Sequence, residues 1–232
     1  MEQLRLVEHI RSEFSPDNYP AHSMKMMPLL DFMRQELHKI FTSDLVKAGG
    51  KLLEVGCGPT MYTAMSASLA FNDIVMADLV PANIRERQMP RTGRCSPSAK
   101  PSLKAMIDVE KGASTIIART RNAIRDVTLC NICEPGSSVD EAAHQRATAN
   151  LAGLLNPGGL LIACGLTGNS SYTACTKTFS SLDSDEALIK KSITKAGLKV
   201  VQWAEDKHLS QMDSYISYGT TYVIVGMKTK DA

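Results

Sequence analysis

One stretch limits what this chain can fold into more than any other: Lys51 to Asn83, KLLEVGCGPTMYTAMSASLAFNDIVMADLVPAN. Lys51 to Val55 reads as a short buried strand. Gly56-Cys57-Gly58-Pro59 breaks it, and Thr60 to Ala70, small and apolar, suits a helix. Asp73 to Ala77 reads as a second strand with Asp78 at its carboxyl tip. Such a unit places a ligand at the carboxyl ends of parallel strands, and glycine lets the backbone approach it. An acid about 20 residues after the turn can accept hydrogen bonds from a ribose diol. Gly56, Gly58 and Asp78 therefore predict a nucleoside-cofactor site.

A dinucleotide fingerprint needs a third glycine, in G-x-G-x-x-G, to pack helix against strand. Here Met61 takes that place beside Pro59 and Thr60, which disfavours a nicotinamide-dinucleotide oxidoreductase. With Glu54 just before the turn, E-V-G-C-G-P-T resembles motif I of S-adenosylmethionine-dependent methyltransferases. G-C-G-P-T-M-Y, D-L-V-P-A-N, N-P-G-G and K-T-F-S-S-L together resemble the small-amine N-methyltransferase family. That family holds the nicotinamide, indolethylamine and phenylethanolamine N-methyltransferases, and the likeness runs from Phe14 to Met227. It implies an α/β, Rossmann-like methyltransferase fold, a three-layer sandwich, with S-adenosyl-L-methionine as cofactor. The implied reaction is methyl transfer to a small amine or a pyridine-type ring nitrogen.

The resemblance also distributes roles. Gly56, Cys57, Gly58, Thr60, Tyr62, Asp78, Asn83, Asn131 and Ile132 are the expected cofactor residues. Tyr62 would cover the methionine end, and Asn83 would support the ribose contact of Asp78. Cys130-Asn131-Ile132 stands where the family usually reads C-D-V and would border the adenine. An Asn oxygen accepts the same N–H as an acid, and a plain turn residue is the other reading. Tyr19, Ser170, Tyr172 and Ser181 are expected to position the acceptor, with no residue assigned a catalytic proton step. Tyr19, in F-S-P-D-N-Y, is either part of a lid or a packing residue. Counting back from F-S-S-L, the acid of the nicotinamide enzyme falls at Gly165, and no Asp or Glu occurs between Leu160 and Leu182. A cationic amine would lack a counter-charge there, so neutral or weakly basic nitrogens are expected.

A length of 232 residues, 44% hydrophobic, suits one domain. It divides into an N-terminal helical cap or lid over 1–48 and a core over 49–232. Net charge of +2 implies no nucleic-acid or membrane partner. The basic tract from Arg85 to Arg125 carries no interleaved aromatics for base stacking and reads as a solvated loop with turn composition. The N-terminus lacks the continuous apolar region of a signal peptide, and no 18-residue apolar run occurs. The expectation is a cytoplasmic monomer acting on a small molecule. Six scattered cysteines are then reduced thiols, and Cys130-x-x-Cys133 lacks the second pair of a zinc site, so no metal is expected.

Along the chain, helices are expected over Met1–Glu13, Leu29–Phe41, Ala113–Arg125 and from Val139 to Leu155. Lys104 to Val109 reads as a third strand and Asp126 to Asn131 as the adenine-edge strand. Asn156-Pro157-Gly158-Gly159 reads as the turn before strand Leu160–Cys164. A helix from Asp183 to Ala196, capped by Ser184 or Asp183 and stopped by Gly197, precedes an antiparallel pair, Lys199–Ala204 and Thr221–Met227. No four-residue apolar run lies between Cys133 and Leu151. A central strand of a doubly wound sheet is normally a continuous hydrophobic run. The chain is thus expected to lack one central strand, and a non-catalytic, truncated relative serving as a binding module is the rival reading.

Overall fold

The computed structural model describes residues 8–10, 12–13, 27–59, 62–85, 102–105, 125–131, 135–174, 177–207 and 219–229. Leu29, Met33, Leu37, Ile40 and Phe41 make the apolar stripe of α1 (Met27–Phe41), and each is buried. Phe41 closes the stripe edge-on against Phe71, ring centroids 5.5 Å apart. Next come β1 (Gly50–Val55), α2 (Tyr62–Ala67), β2 (Phe71–Ala77) and α3 (Pro81–Arg85). Thr63, Ala64 and Ala67, all small and buried, let α2 lie close to the sheet. The remaining elements are β3 (Ser102–Ala105), β4 (Arg125–Asn131), α4 (Glu141–Ala152), β5 (Leu155–Thr167), the hairpin β6 (Ser171–Ala174) and β7 (Lys177–Ser180), α5 (Glu186–Lys195), β8 (Leu198–Asp206) and β9 (Thr220–Lys228).

Seven strands form one sheet in the order β3-β2-β1-β4-β5-β9-β8. The first five are parallel and β9 runs antiparallel to both of its neighbours. One apolar cluster joins α1 and α2 to one face through Leu52, Leu129, Ile162 and Val223. The second joins α4 and α5 to the other face through Leu53, Cys130, Leu161 and Ile224. Helix, sheet and helix make the three layers of a Rossmann-like α/β fold.

The expected loss of a central strand is overturned. β4 sits between β1 and β5, pairing Leu52 to Val55 on one side and Leu160 to Cys164 on the other. Val127 and Leu129 are buried on one face, Thr128 and Cys130 on the other, as a central strand requires. Thr128 breaks the continuous apolar run expected of a central strand, so Asp126 to Asn131 reads as the adenine-edge strand, with the central one expected after Cys133. Asp126 to Asn131 is therefore the central strand itself, and Pro135–Ser137 is a 3-10 turn leading to α4.

Other boundaries shift for local reasons. Leu155 belongs to β5, and Asn156-Pro157-Gly158-Gly159 is an irregularity inside that strand, with Gly158 at φ 79°. Asp126 explains the Asn: its Oδ1 accepts from Asn156 Nδ2 at 3.0 Å and its Oδ2 from the Lys51 N–H at 2.8 Å. One carboxylate ties the feet of β1, β4 and β5 together. Asp185, not Ser184 or Asp183, caps α5, accepting from the Leu188 N–H at 2.7 Å. β3 starts at Ser102, two residues ahead of expectation. Arg125 opens β4; the rest of the expected Ala113–Arg125 helix, Tyr19, Thr60 and Ile132 lie outside the described residues. Residues 8–10 and 12–13 of the expected N-terminal helix are helical.

Candidate active site

The glycine turn leaves β1 with Gly56 at φ 69° and Gly58 at φ 60°, backbone angles that L side chains avoid. A Cβ placed on Gly58 would meet no atom of the described residues within 4 Å, so among them the turn borders open space on the side a ligand would approach. Asp78, at the tip of β2, gathers three donors. Its Oδ2 accepts from the Gly58 N–H at 2.8 Å; its Oδ1 accepts from the Val80 N–H at 2.8 Å and from Asn83 Nδ2 at 3.0 Å. Sequence reasoning paired Asp78 with Asn83, and the structure brings them together. It adds that the carboxylate anchors the glycine turn. Cys57 turns its side chain into the core beneath α1 and α2.

Asn131 is at the carboxyl tip of β4, on the opposite side of β1 from β2. Its Nδ2 is 3.5 Å from Thr63 Oγ1, and its Oδ1 is buried with no partner among the described residues. It lines a cavity of about 70 Å³ between α1 and α2, walled by Leu30, Met33 and Leu37. Tyr62, Thr63 and Ser66 of α2 and Asp31 and Arg34 of α1 supply its other polar groups. Sequence reasoning took α1 only for its apolar stripe and missed Asp31 and Arg34; opposite charges at i and i+3 on the other face were the available signal.

Three of the four residues expected to position the acceptor, Ser170, Tyr172 and Ser181, lie at the β6–β7 hairpin, itself missed because its strands have only four residues each. Tyr172 stacks on the buried Phe179 at 5.3 Å, and His9 packs on the same ring at 5.2 Å. The Ser181 N–H donates to the Ser170 carbonyl at 2.9 Å, closing the hairpin. Gly136, after β4, abuts Tyr172: a Cβ there would sit 3.3 Å from Cε1. At Gly165 a Cβ would be 2.6 Å from the Tyr222 hydroxyl and 2.8 Å from its ring, so Tyr222 fills the volume of any side chain at that position. Tyr222 is held there by stacking on Trp203, 5.2 Å apart and 6° from parallel.

Burial, and then the Glu54 charge, push the Cys164 thiol far above its ordinary value, so it is inert. Cys57 and Cys164 are free thiols, but Cys130 is disulfide-bonded, which corrects the expectation of six reduced cysteines. Among the described residues no cluster could hold a metal ion, and no helix is long and apolar enough to cross a membrane.

The NNMT/PNMT/TEMT family model matches residues 5–139 and 106–229. The chain belongs to that family. Human nicotinamide N-methyltransferase is 27% identical over 84% of this chain and 85% of its own length. Mouse indolethylamine N-methyltransferase is 25% identical over 97% of each chain. Human phenylethanolamine N-methyltransferase is 26% identical over 66% of this chain and 64% of its own. Among solved structures, the fold matches magnesium protoporphyrin IX methyltransferase of Synechocystis PCC 6803 with bound SAM (TM-score 0.58, 11% identity, 99% and 98% of the two chains). It also matches the N-methyltransferase NodS of Bradyrhizobium japonicum WM9 with S-adenosyl-L-homocysteine (TM-score 0.56, 15% identity, 98% and 96%). This family member is an S-adenosylmethionine-dependent N-methyltransferase. The glycine turn, the Asp78–Asn83 pair and the buried Asn131 oxygen, without a partner among the described residues, fit that cofactor.

Proposed function

We propose that this N-methyltransferase acts on a neutral or weakly basic nitrogen, such as a pyridine-type ring nitrogen, in a small molecule. The bound cofactor supplies a methyl group already activated on a sulfonium. The protein then has to orient and to exclude water, which in favourable cases is worth about 7–11 kcal/mol. Gly58 and Asp78 serve the ribose side; Tyr172, Ser170 and Ser181 border the acceptor side.

The observation that carries the acceptor preference is the Gly165–Tyr222 pair. Tyr222 excludes any side chain at 165, so no acidic residue could stand there. Leu160 to Leu182 contains no carboxylate. An ammonium buried there would go without its counter-charge, which is costly. The likeness to nicotinamide N-methyltransferase is consistent with this preference. A methylation screen tests it: nicotinamide-type heterocycles should outrank phenylethanolamines, and the reverse ranking refutes the proposal. The rival reading of a truncated binding module loses its main support, since the central strand is present. We also propose a monomer, because Leu69 is the one large hydrophobic side chain exposed among the described residues. Sedimentation at micromolar concentration would show a dimer if this is wrong.

A further inference from the structure

We propose that Asp31 and Arg34 of α1 bind the two charges of an α-amino-acid zwitterion, the methionyl end of the cofactor. The inference rests on the N-methyltransferase reading of the same site. Both side chains line the cavity whose other polar walls are Tyr62, Thr63, Ser66 and Asn131. They lie one helical turn apart and pair with each other, Arg34 Nη2 at 3.1 Å and Nε at 3.3 Å from Asp31 Oδ1. Their side chains are 44% and 56% exposed, so the pair is worth little and costs little to open.

Charge selects the ligand. A lone anion at this cavity would be opposed by Asp31 and a lone cation by Arg34. A zwitterion satisfies both at once, its ammonium taken by Asp31 and its carboxylate by the Arg34 fork. The buried Asn131 Oδ1, with no partner among the described residues, offers a further acceptor to an N–H donor. Position agrees with charge. Asp78 stands at the tip of β2 and Asn131 at the tip of β4, with β1 and the glycine turn between them. Two strand spacings separate these tips, about 10 Å. A ligand held by its ribose at Asp78 and lying across Gly58 therefore extends its other end into this cavity. Asn131 then faces the amino-acid end, not the adenine.

Calorimetry with two probes tests the assignment: S-adenosylhomocysteine, which carries the amino-acid end, and 5′-methylthioadenosine, which lacks it. Asp31→Asn and Arg34→Gln are each expected to weaken S-adenosylhomocysteine binding at least tenfold, while 5′-methylthioadenosine stays within twofold of wild type. Unchanged S-adenosylhomocysteine affinity in either variant overturns the inference, as do equal losses for both probes. Failure of the wild-type protein to bind S-adenosylhomocysteine overturns instead the cofactor reading on which it rests.

Discussion

Gly58 and Gly197 share a local problem and differ in what surrounds them. Both have positive φ, 60° and 79°, and a Cβ on either would meet no atom of the described residues within 4 Å. Alanine at either position thus costs only the left-handed backbone strain, about 1–2 kcal/mol. Gly197 ends α5 far from the glycine turn, whereas the space beside Gly58 is where the cofactor must approach. Gly58→Ala and Gly197→Ala should therefore lower thermal stability alike, but only Gly58→Ala should lose S-adenosylhomocysteine affinity, at least tenfold by calorimetry. His144 carries a second residue-scale prediction. It is buried between α4 and α5, with Nδ1 3.0 Å from Ser192 Oγ, and burial lowers its pKa below the ordinary 6.5. Ser192 Oγ also donates to the Leu188 carbonyl at 2.9 Å, so the imidazole Nδ1–H donates to Ser192. The unfolded chain then binds a proton at a higher pH than the folded one. Stability is complete above about pH 6.5 and falls as pH drops through the window down to the folded pKa, by at most about 1.4 kcal/mol per pH unit. Melting temperatures measured between pH 7 and pH 5 should fall, and His144→Gln should flatten the decline.

At the scale of elements, β4 shows how a strand can be central without reading as one. Its alternation places Val127 and Leu129 under α1 and α2, and Thr128 and Cys130 under α4 and α5. Thr128 is fully buried, and its hydroxyl has no partner among the described residues. An unsatisfied buried hydroxyl costs about 1–3 kcal/mol. Thr128→Val keeps the branched shape that suits a strand and removes that cost. The variant should melt higher, by about 2–4 °C for each kcal/mol regained in a chain of this size. A lower melting temperature would mean that the hydroxyl has an essential partner. The same variant would make the run V-V-L-C, which sequence pattern alone would read as a buried strand. The helices were easier to place because an apolar stripe of period 3.6 survives isolated polar residues, as α1 shows.

For the whole molecule, the complete sheet reverses an expectation about what an added strand would do. Inserting about six apolar residues after Gly136 would supply no missing partner. β1 is already paired on both sides, by β2 and β4. The insertion would instead push apart Gly136 and the Tyr172 ring, which already approach closely. The expected result is a lower melting temperature and a slower methylation rate than the natural chain; equal or higher values for both would refute the observed topology. The sequence by itself determined the strand–glycine turn–helix–strand–acid unit, because glycine conformations, apolar periodicity and an acid at a strand tip are local properties. It also determined the family, through motifs that do not depend on where other strands lie. Only the tertiary structure decided which strand is central, since strand order depends on pairing between Leu52–Val55 and residues more than 70 positions away. The same holds for Tyr222 filling the space at Gly165 and for Asp31, Arg34 and Asn131 meeting at one cavity. These residues are remote in sequence, and packing of the helices on the twisted sheet is what brings them together.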